Sequence, residues 1–162
     1  MPVKKSTSDR SQRGLTLLEL MITIAVLAIL VTAGIPQFQR LIQSNQTTSG
    51  ANDLLSSLQL ARSESVRRGS PVTLCPSTDQ STCSGSDWSV GWVVIDPADA
   101  TAPIRVTESL PGNVAISTQV SAVNFNAVGT TADATSFVVA AGDQNRIVCL
   151  EPSGIARVGA CQ

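Results

Sequence analysis

The sequence contains no histidine, and its only two lysines, Lys4 and Lys5, fall within the first five residues. Without histidine, a serine or cysteine nucleophile lacks its usual base. The carboxylates show no readable pairing for acid–base work, and no glycine-rich loop has the spacing that cradles phosphate. The four cysteines lack zinc-ligand spacing and have no imidazole to complete a site. These absences argue against an enzyme and against any metal or cofactor. Charge is also sparse: 14% of the 162 residues are charged and 43% are apolar, which is too apolar for a disordered tail and fits one folded domain plus a membrane segment.

What is present is concentrated near the N-terminus. From Leu15 to Ile35 the chain is apolar or small except for a few threonines and one glutamate, Glu19. At 1.5 Å per residue this run makes roughly 31 Å of helix, the thickness of a bilayer core. A secretory signal peptide has a shorter apolar region, about 7–15 residues, before its cleavage site. Lys4, Lys5, Arg10 and Arg13 precede the run against a single Asp9, so the N-terminus is held in the cytoplasm and the remainder is sent outward. Within such a helix a carboxylate costs about 2.5–3.5 kcal/mol and calls for a partner. No cation follows Glu19 until Arg40, so the counter-charge must come from another chain or from an amine made by cutting this one.

The stretch Gly14-Leu15-Thr16-Leu17-Leu18-Glu19 resembles the cleavage and methylation motif of type IV pilins and type II secretion pseudopilins. The resemblance implies that a prepilin peptidase cuts after Gly14 and N-methylates Leu15, which stands where the family usually has Phe. It also implies that Glu19 pairs with the amine of a neighbouring subunit during assembly. That α-amino group, with a reference pKa near 7.7–8.0, is largely cationic at neutral pH. Pro36 lies where such proteins also carry a proline, and its missing N–H and ring clash predict a helix break there.

Beyond Pro36, Leu41, Leu54, Leu55, Leu58, Ala61 and Val66 recur at mostly three- and four-residue steps, the pattern of an amphipathic helix. The polar, glycine-containing segment Ser44 to Asn52 leaves room for a local break, but the whole reads as one long helix, half in the membrane and half packed on a domain. Arg67, Arg68, Gly69 and Pro71 together mark the helix end. After Gly69 the pattern shifts to short runs rich in Val, Ile and Thr between turn residues. Strands are expected at Val72–Cys75, Trp88–Asp96, Ile104–Leu110, Val114–Thr118, Ala122–Asn126, Ser136–Ala141, Arg146–Leu150 and Ile155–Val158. Trp88 and Trp92 read as core. The organisation is a leader at 1–14, a transmembrane helix at 15–35, its amphipathic continuation at 36–69, and a periplasmic β-rich domain at 70–162. The fold class is α+β, a long N-terminal helix packed on an antiparallel sheet.

The segment from Cys75-Pro76-Ser77 through Cys83 to Asp87-Trp88 and Gly91-Trp92-Val93-Val94 resembles the globular domain of the GspH/FimT group of minor pilins and pseudopilins. That resemblance implies a single-pass inner-membrane protein with its C-terminal domain in the periplasm, later in a pilus or pseudopilus. Its partners would be the prepilin peptidase and other pilins or pseudopilins, met through the N-terminal helix. The cysteines all lie on the outward side, where disulfides are expected. Of three pairings, Cys75–Cys83 and Cys149–Cys161 are favoured because each closes a short excursion between strands. DNA uptake is a further reading, with Arg146 and Arg157 as its contacts. Some relatives bind DNA through an arginine-rich motif after a C-terminal glycine; here Ile155 follows Gly154 where an arginine would be expected. From Pro36 onward seven Arg face ten acidic residues, a formal charge of −3 that disfavours nucleic acid.

Overall fold

The computed structural model describes residues 16–99 and 102–161. They fall into two compact units, one ending at Phe38 and the other beginning at Gln39. A single α-helix, α1 (Leu17–Arg68), supplies the described α-helical residues of both. At its start the Thr16 hydroxyl accepts the Glu19 backbone N–H at 3.2 Å, satisfying one of the donors left open in a first helical turn. At its end Gly69 takes φ +65°, the left-handed conformation that closes helices, with Arg67 and Arg68 in the last turn.

The one long helix expected from the sequence is found: α1 runs through Pro36 and through Ser44–Asn52 without the breaks considered at those points. A single proline removes one helical hydrogen bond, and the turns on either side keep theirs. In the polar stretch the Thr47 hydroxyl donates to the carbonyls of Gln43 and Ser44, and that of Thr48 donates to Ser44, so these side chains fold back on the helix. The inward face also differs from the apolar pattern. Its buried residues include Thr47, Gly50, Ala51, Leu54, Ser57, Leu58, Ala61 and Ser65, whereas Leu41 and Val66 are exposed. Small residues take inward positions because α1 lies close against β-structure: a Cβ on Gly50 would already sit 3.3 Å from Val139.

Eight strands follow in chain order: β1 (Val72–Pro76), β2 (Trp92–Ile95), β3 (Arg105–Thr107), β4 (Ala115–Ser117), β5 (Val123–Phe125), β6 (Thr135–Ala141), β7 (Gln144–Leu150) and β8 (Ala156–Val158). They form two four-stranded sheets, in the orders β3-β2-β1-β5 and β4-β6-β7-β8, where one sheet was expected. Every pairing between these strands is antiparallel. The second strand is shorter than its apolar run. Trp88–Val90 forms a 3₁₀ turn instead, capped by the Asp87 carboxylate on the Ser89 N–H and ended by Gly91 at φ +105°. A Cβ on Gly91 would press on the Thr107 carbonyl at 2.5 Å, so only glycine fits there.

The core lies between the inward face of α1 and the sheets, with Leu54, Leu58, Leu74, Trp92, Phe125 and Phe137 fully buried. Both indoles find acceptors, as buried Trp N–H groups require. Trp92 Nε1 donates to Ser57 Oγ at 2.9 Å, and Trp88 Nε1 donates to the Val120 carbonyl at 3.1 Å. Trp88 also meets Phe137 edge-on, with ring centroids 5.1 Å apart.

Candidate functional site

The cleavage and methylation residues, Gly14 and Leu15, lie outside the described residues, as does the 1–14 leader. The described site begins with Thr16 and Glu19 in the first turn of α1. Thr16 and Glu19 have the Thr-x-x-Glu spacing of a helix cap ahead of an apolar run, a signal legible in sequence but passed over there. The negative side chain also suits the positive end of the helix dipole. Glu19 is exposed, and its carboxylate meets no partner among the described residues. Around and beyond it the large apolar side chains are bare: Leu18 is 68% exposed and Leu27 58%. The described part of the helix up to Phe38 thus presents apolar surface all round, as a segment solvated by lipid or by other helices does. Pro36 sits within α1 in this stretch.

Farther along the chain, Cys75 is bonded to Cys83 and Cys149 to Cys161, with Cα–Cα distances of 5.4 and 5.2 Å. The first disulfide closes a loop organised by Asp79. The Asp79 carboxylate accepts from the Thr82 hydroxyl at 2.6 Å, the Thr82 and Ser81 N–H groups, and the Ser77 hydroxyl. These hydrogen bonds favour the charged form and hold its pKa far below the usual carboxylate range. The loop is a knot of local hydrogen bonds. No group of three His, Cys, Asp or Glu side chains among the described residues is placed to hold a metal ion.

Arg146 and Arg157 are not brought together. Arg157 faces Cys149 across β7 and β8, and its guanidinium pairs with Glu151 at 2.9 Å. Arg146 lies three residues from Cys149 and so on the other face of β7, with its Nε 3.5 Å from Thr48 Oγ1 of α1.

Two family profiles match this sequence. Residues 9–35 match the prokaryotic N-terminal methylation motif, and residues 50–154, more than half of the chain, match the family described as type II transport protein GspH. The chain belongs to the GspH family. Two curated relatives, both named fimbrial protein and both from Pseudomonas aeruginosa, are each 27% identical over 107 residues. Those matches cover 65% of this chain and 66% of each relative, just under two thirds of its length. Two crystal structures of the type IV minor pilin FimU of Pseudomonas aeruginosa share the fold. The first, in space group P21, has a TM-score of 0.60 at 21% identity and covers 72% of this chain and 90% of that one. The second, in P65, has a TM-score of 0.57 at 20% identity, covering 70% and 92%. This GspH-family chain is a type IV pilin-like protein of the minor-pilin and pseudopilin kind, with a long helix packed on antiparallel sheets. Its methylation motif and its apolar N-terminal helix, long enough to cross a membrane, mark a membrane-anchored pilin or pseudopilin.

Proposed function

We propose that the chain is a minor subunit of a type IV pilus that acts in filament initiation or in a tip complex. The observation that carries this reading is the union of the methylation-motif match at residues 9–35 with a FimU-like fold over most of the chain. A prepilin peptidase removes residues 1–14 and methylates the new N-terminus at Leu15. Residues 15–35 anchor the product in the inner membrane, 36–69 continue the helix, and 70–162 form the domain in the periplasm. Assembly then draws the apolar helix out of lipid and against the helices of other pilins. Glu19 takes the amine of a neighbouring subunit as its partner, which neutralises both charges in a low-dielectric setting.

One experiment tests each step: compare the parent with Glu19→Val for mature mass, amount in the membrane, and recovery in sheared surface fibres. Both proteins should insert and begin at Leu15, because removing a charge makes the span more apolar. Loss of the partner should cost about 3–5 kcal/mol at docking and deplete the variant from fibres. A mature chain starting elsewhere, or parental recovery of the variant in fibres, would overturn the reading. The description of the matched family favours a second reading, a GspH-like pseudopilin of a type II secretion system. Deletion separates the two, since a pilus subunit costs the cell its surface fibres and a pseudopilin costs it secreted proteins.

A further inference from the structure

The C-terminal end of α1 borders a groove of about 530 Å³ that the reading above leaves unused. Gln59, Arg62, Val66 and Arg67 line it from the helix, and Gly154 and Ile155 line it from the loop before β8. Its shape is set by two glycines with positive φ, Gly129 at +79° and Gly154 at +76°. A Cβ on Gly154 would fall on the Gly129 carbonyl oxygen, and one on Gly129 would meet Val66 at 2.8 Å and Arg62 at 3.2 Å. The two loops therefore close on one another and on the helix. The Thr131 N–H donates to the Pro152 carbonyl, and Arg62 Nε donates to the Gly129 carbonyl, both at 3.1 Å. A groove fixed this way is ordered before anything binds, which lowers the entropic cost of docking.

Its chemistry is specific. Val66 is 54% exposed and Ile155 47%, and Val128, next to Gly129, is 72% exposed, so the rim is apolar. No carboxylate lines the groove. Arg67 and Arg68 share Glu64, and Arg157 has Glu151, but the partly buried Arg62 pairs with no carboxylate among the described residues. This cationic, apolar recess lies on a domain whose acidic residues outnumber its arginines ten to seven from Pro36 onward. Surfaces of that composition repel one another, and a site of opposite sign is where such a neighbour can land.

We propose that the groove docks an acidic turn of small residues, presented by a neighbouring pilin-type subunit. The source of the turn rests on the assembly reading above. Arg62 would take the carboxylate while Val66 and Ile155 cover the small residues beside it. A nucleic-acid strand fits less well, because its affinity comes from many neutralised phosphates and the groove offers one unpaired guanidinium. This chain carries such a turn at the tip of the β6–β7 hairpin, where Gly142 and Asp143 are exposed and Ala140 is half-buried, while Ala141 belongs to the core.

The test titrates the full-length chain in detergent micelles with a cyclic peptide of residues 140–145 and follows backbone amide NMR signals. Saturable shifts are expected at Gly129, Gly154 and Ile155. An Asp143→Asn peptide should bind about tenfold more weakly, as loss of a charge-assisted hydrogen bond implies, and Arg62→Gln protein should lose a similar factor. Because Arg62 also holds Gly129, a second variant guards against misfolding: Ile155→Asp, at an exposed position, should abolish binding while distant signals stay in place. Three results would overturn the proposal: no saturable shift at millimolar peptide, equal binding of the Asp and Asn peptides, or larger shifts at these amides with a DNA duplex. A silent titration beside normal entry into fibres would sink the groove alone, whereas parental fibre recovery of Glu19→Val would sink the assembly reading alone.

Discussion

Up to Phe38 the described apolar side chains of α1 stand bare, and from Gln39 the same helix turns a face inward against two sheets. The two stretches have the same secondary structure and opposite solvation. The first has apolar residues on every side and only Glu19 charged among its described residues; the second mixes Thr, Ser, Gly and Ala into its buried face and keeps its charges at exposed or half-buried positions. Helix formation is therefore common to both, and surroundings decide what each contributes. The second stretch contributes to the fold, and the first has surface to offer only to lipid or to other chains.

Truncation of matched leucines should break this symmetry most sharply. Leu58 is fully buried and Leu27 is 58% exposed. Leu58→Ala should lower the unfolding free energy of the full chain by about 2–5 kcal/mol. Leu27→Ala should leave it within about 0.5 kcal/mol of the parent. Denaturant titration in detergent checks both, with near-ultraviolet circular dichroism reporting on the buried Trp88 and Trp92. Comparable losses in the two variants would mean that the first stretch supports the fold after all.

Covalent closure sharpens the comparison within the sheet-bearing unit. Cys75–Cys83 spans a sequence separation of 8. The double variant Cys75→Ser/Cys83→Ser should lose about 2–3 kcal/mol on the chain-entropy account. The same titration measures this, and an unchanged midpoint would show that the Asp79 hydrogen bonds hold the loop without the bond.

Eight strands were legible as eight apolar runs between turn residues, because alternation and punctuation are local properties. Their division into two sheets was not, since it depends on which short strands meet edge to edge. The inward face of α1 was only half legible: Leu54, Leu58 and Ala61 belong to it, but Thr47, Ser57 and Ser65 are polar in sequence and buried in the fold. Trp92 makes the position of Ser57 intelligible, since its indole N–H needs an acceptor inside the core. Leu41 and Val66 continue the spacing yet face outward, Val66 because it borders the groove. At the candidate site, the Gly14–Glu19 motif could be read directly because its chemistry resides in consecutive residues. Arg62, Gly129 and Gly154 are far apart in sequence and meet only through tertiary closure.

The smallest effect expected is electrostatic. Hydrogen bonds and charge from Arg67 and Arg68 lower the pKa of Glu64 from 4.5 to about 2. Because the folded pKa is depressed, the stabilisation is fully present above the unfolded value and fades as pH falls from about 4.5 toward 2. Arg67 is 65% exposed, so the effect should stay at or below about 1 kcal/mol. Unfolding midpoints of the parent and Glu64→Gln should therefore differ at pH 7 and converge near pH 2. A gap that persists there would assign the difference to packing.

The face of α1 built from Thr47, Gly50, Ala51, Ser57, Ala61 and Ser65 has a consequence for conformational freedom. Glycine and alanine lose no side-chain rotamers on burial, whereas a buried leucine loses about 0.5–1 kcal/mol in entropy. The hydroxyls of Thr47, Ser57 and Ser65 are bonded to carbonyls of their own helix, at Gln43, Asp53 and Arg62, and so need no acceptor from the sheets. Much of this face can settle onto the sheets with few side chains frozen, leaving Leu54 and Leu58 to bear most of the rotamer loss as they fix the helix in place.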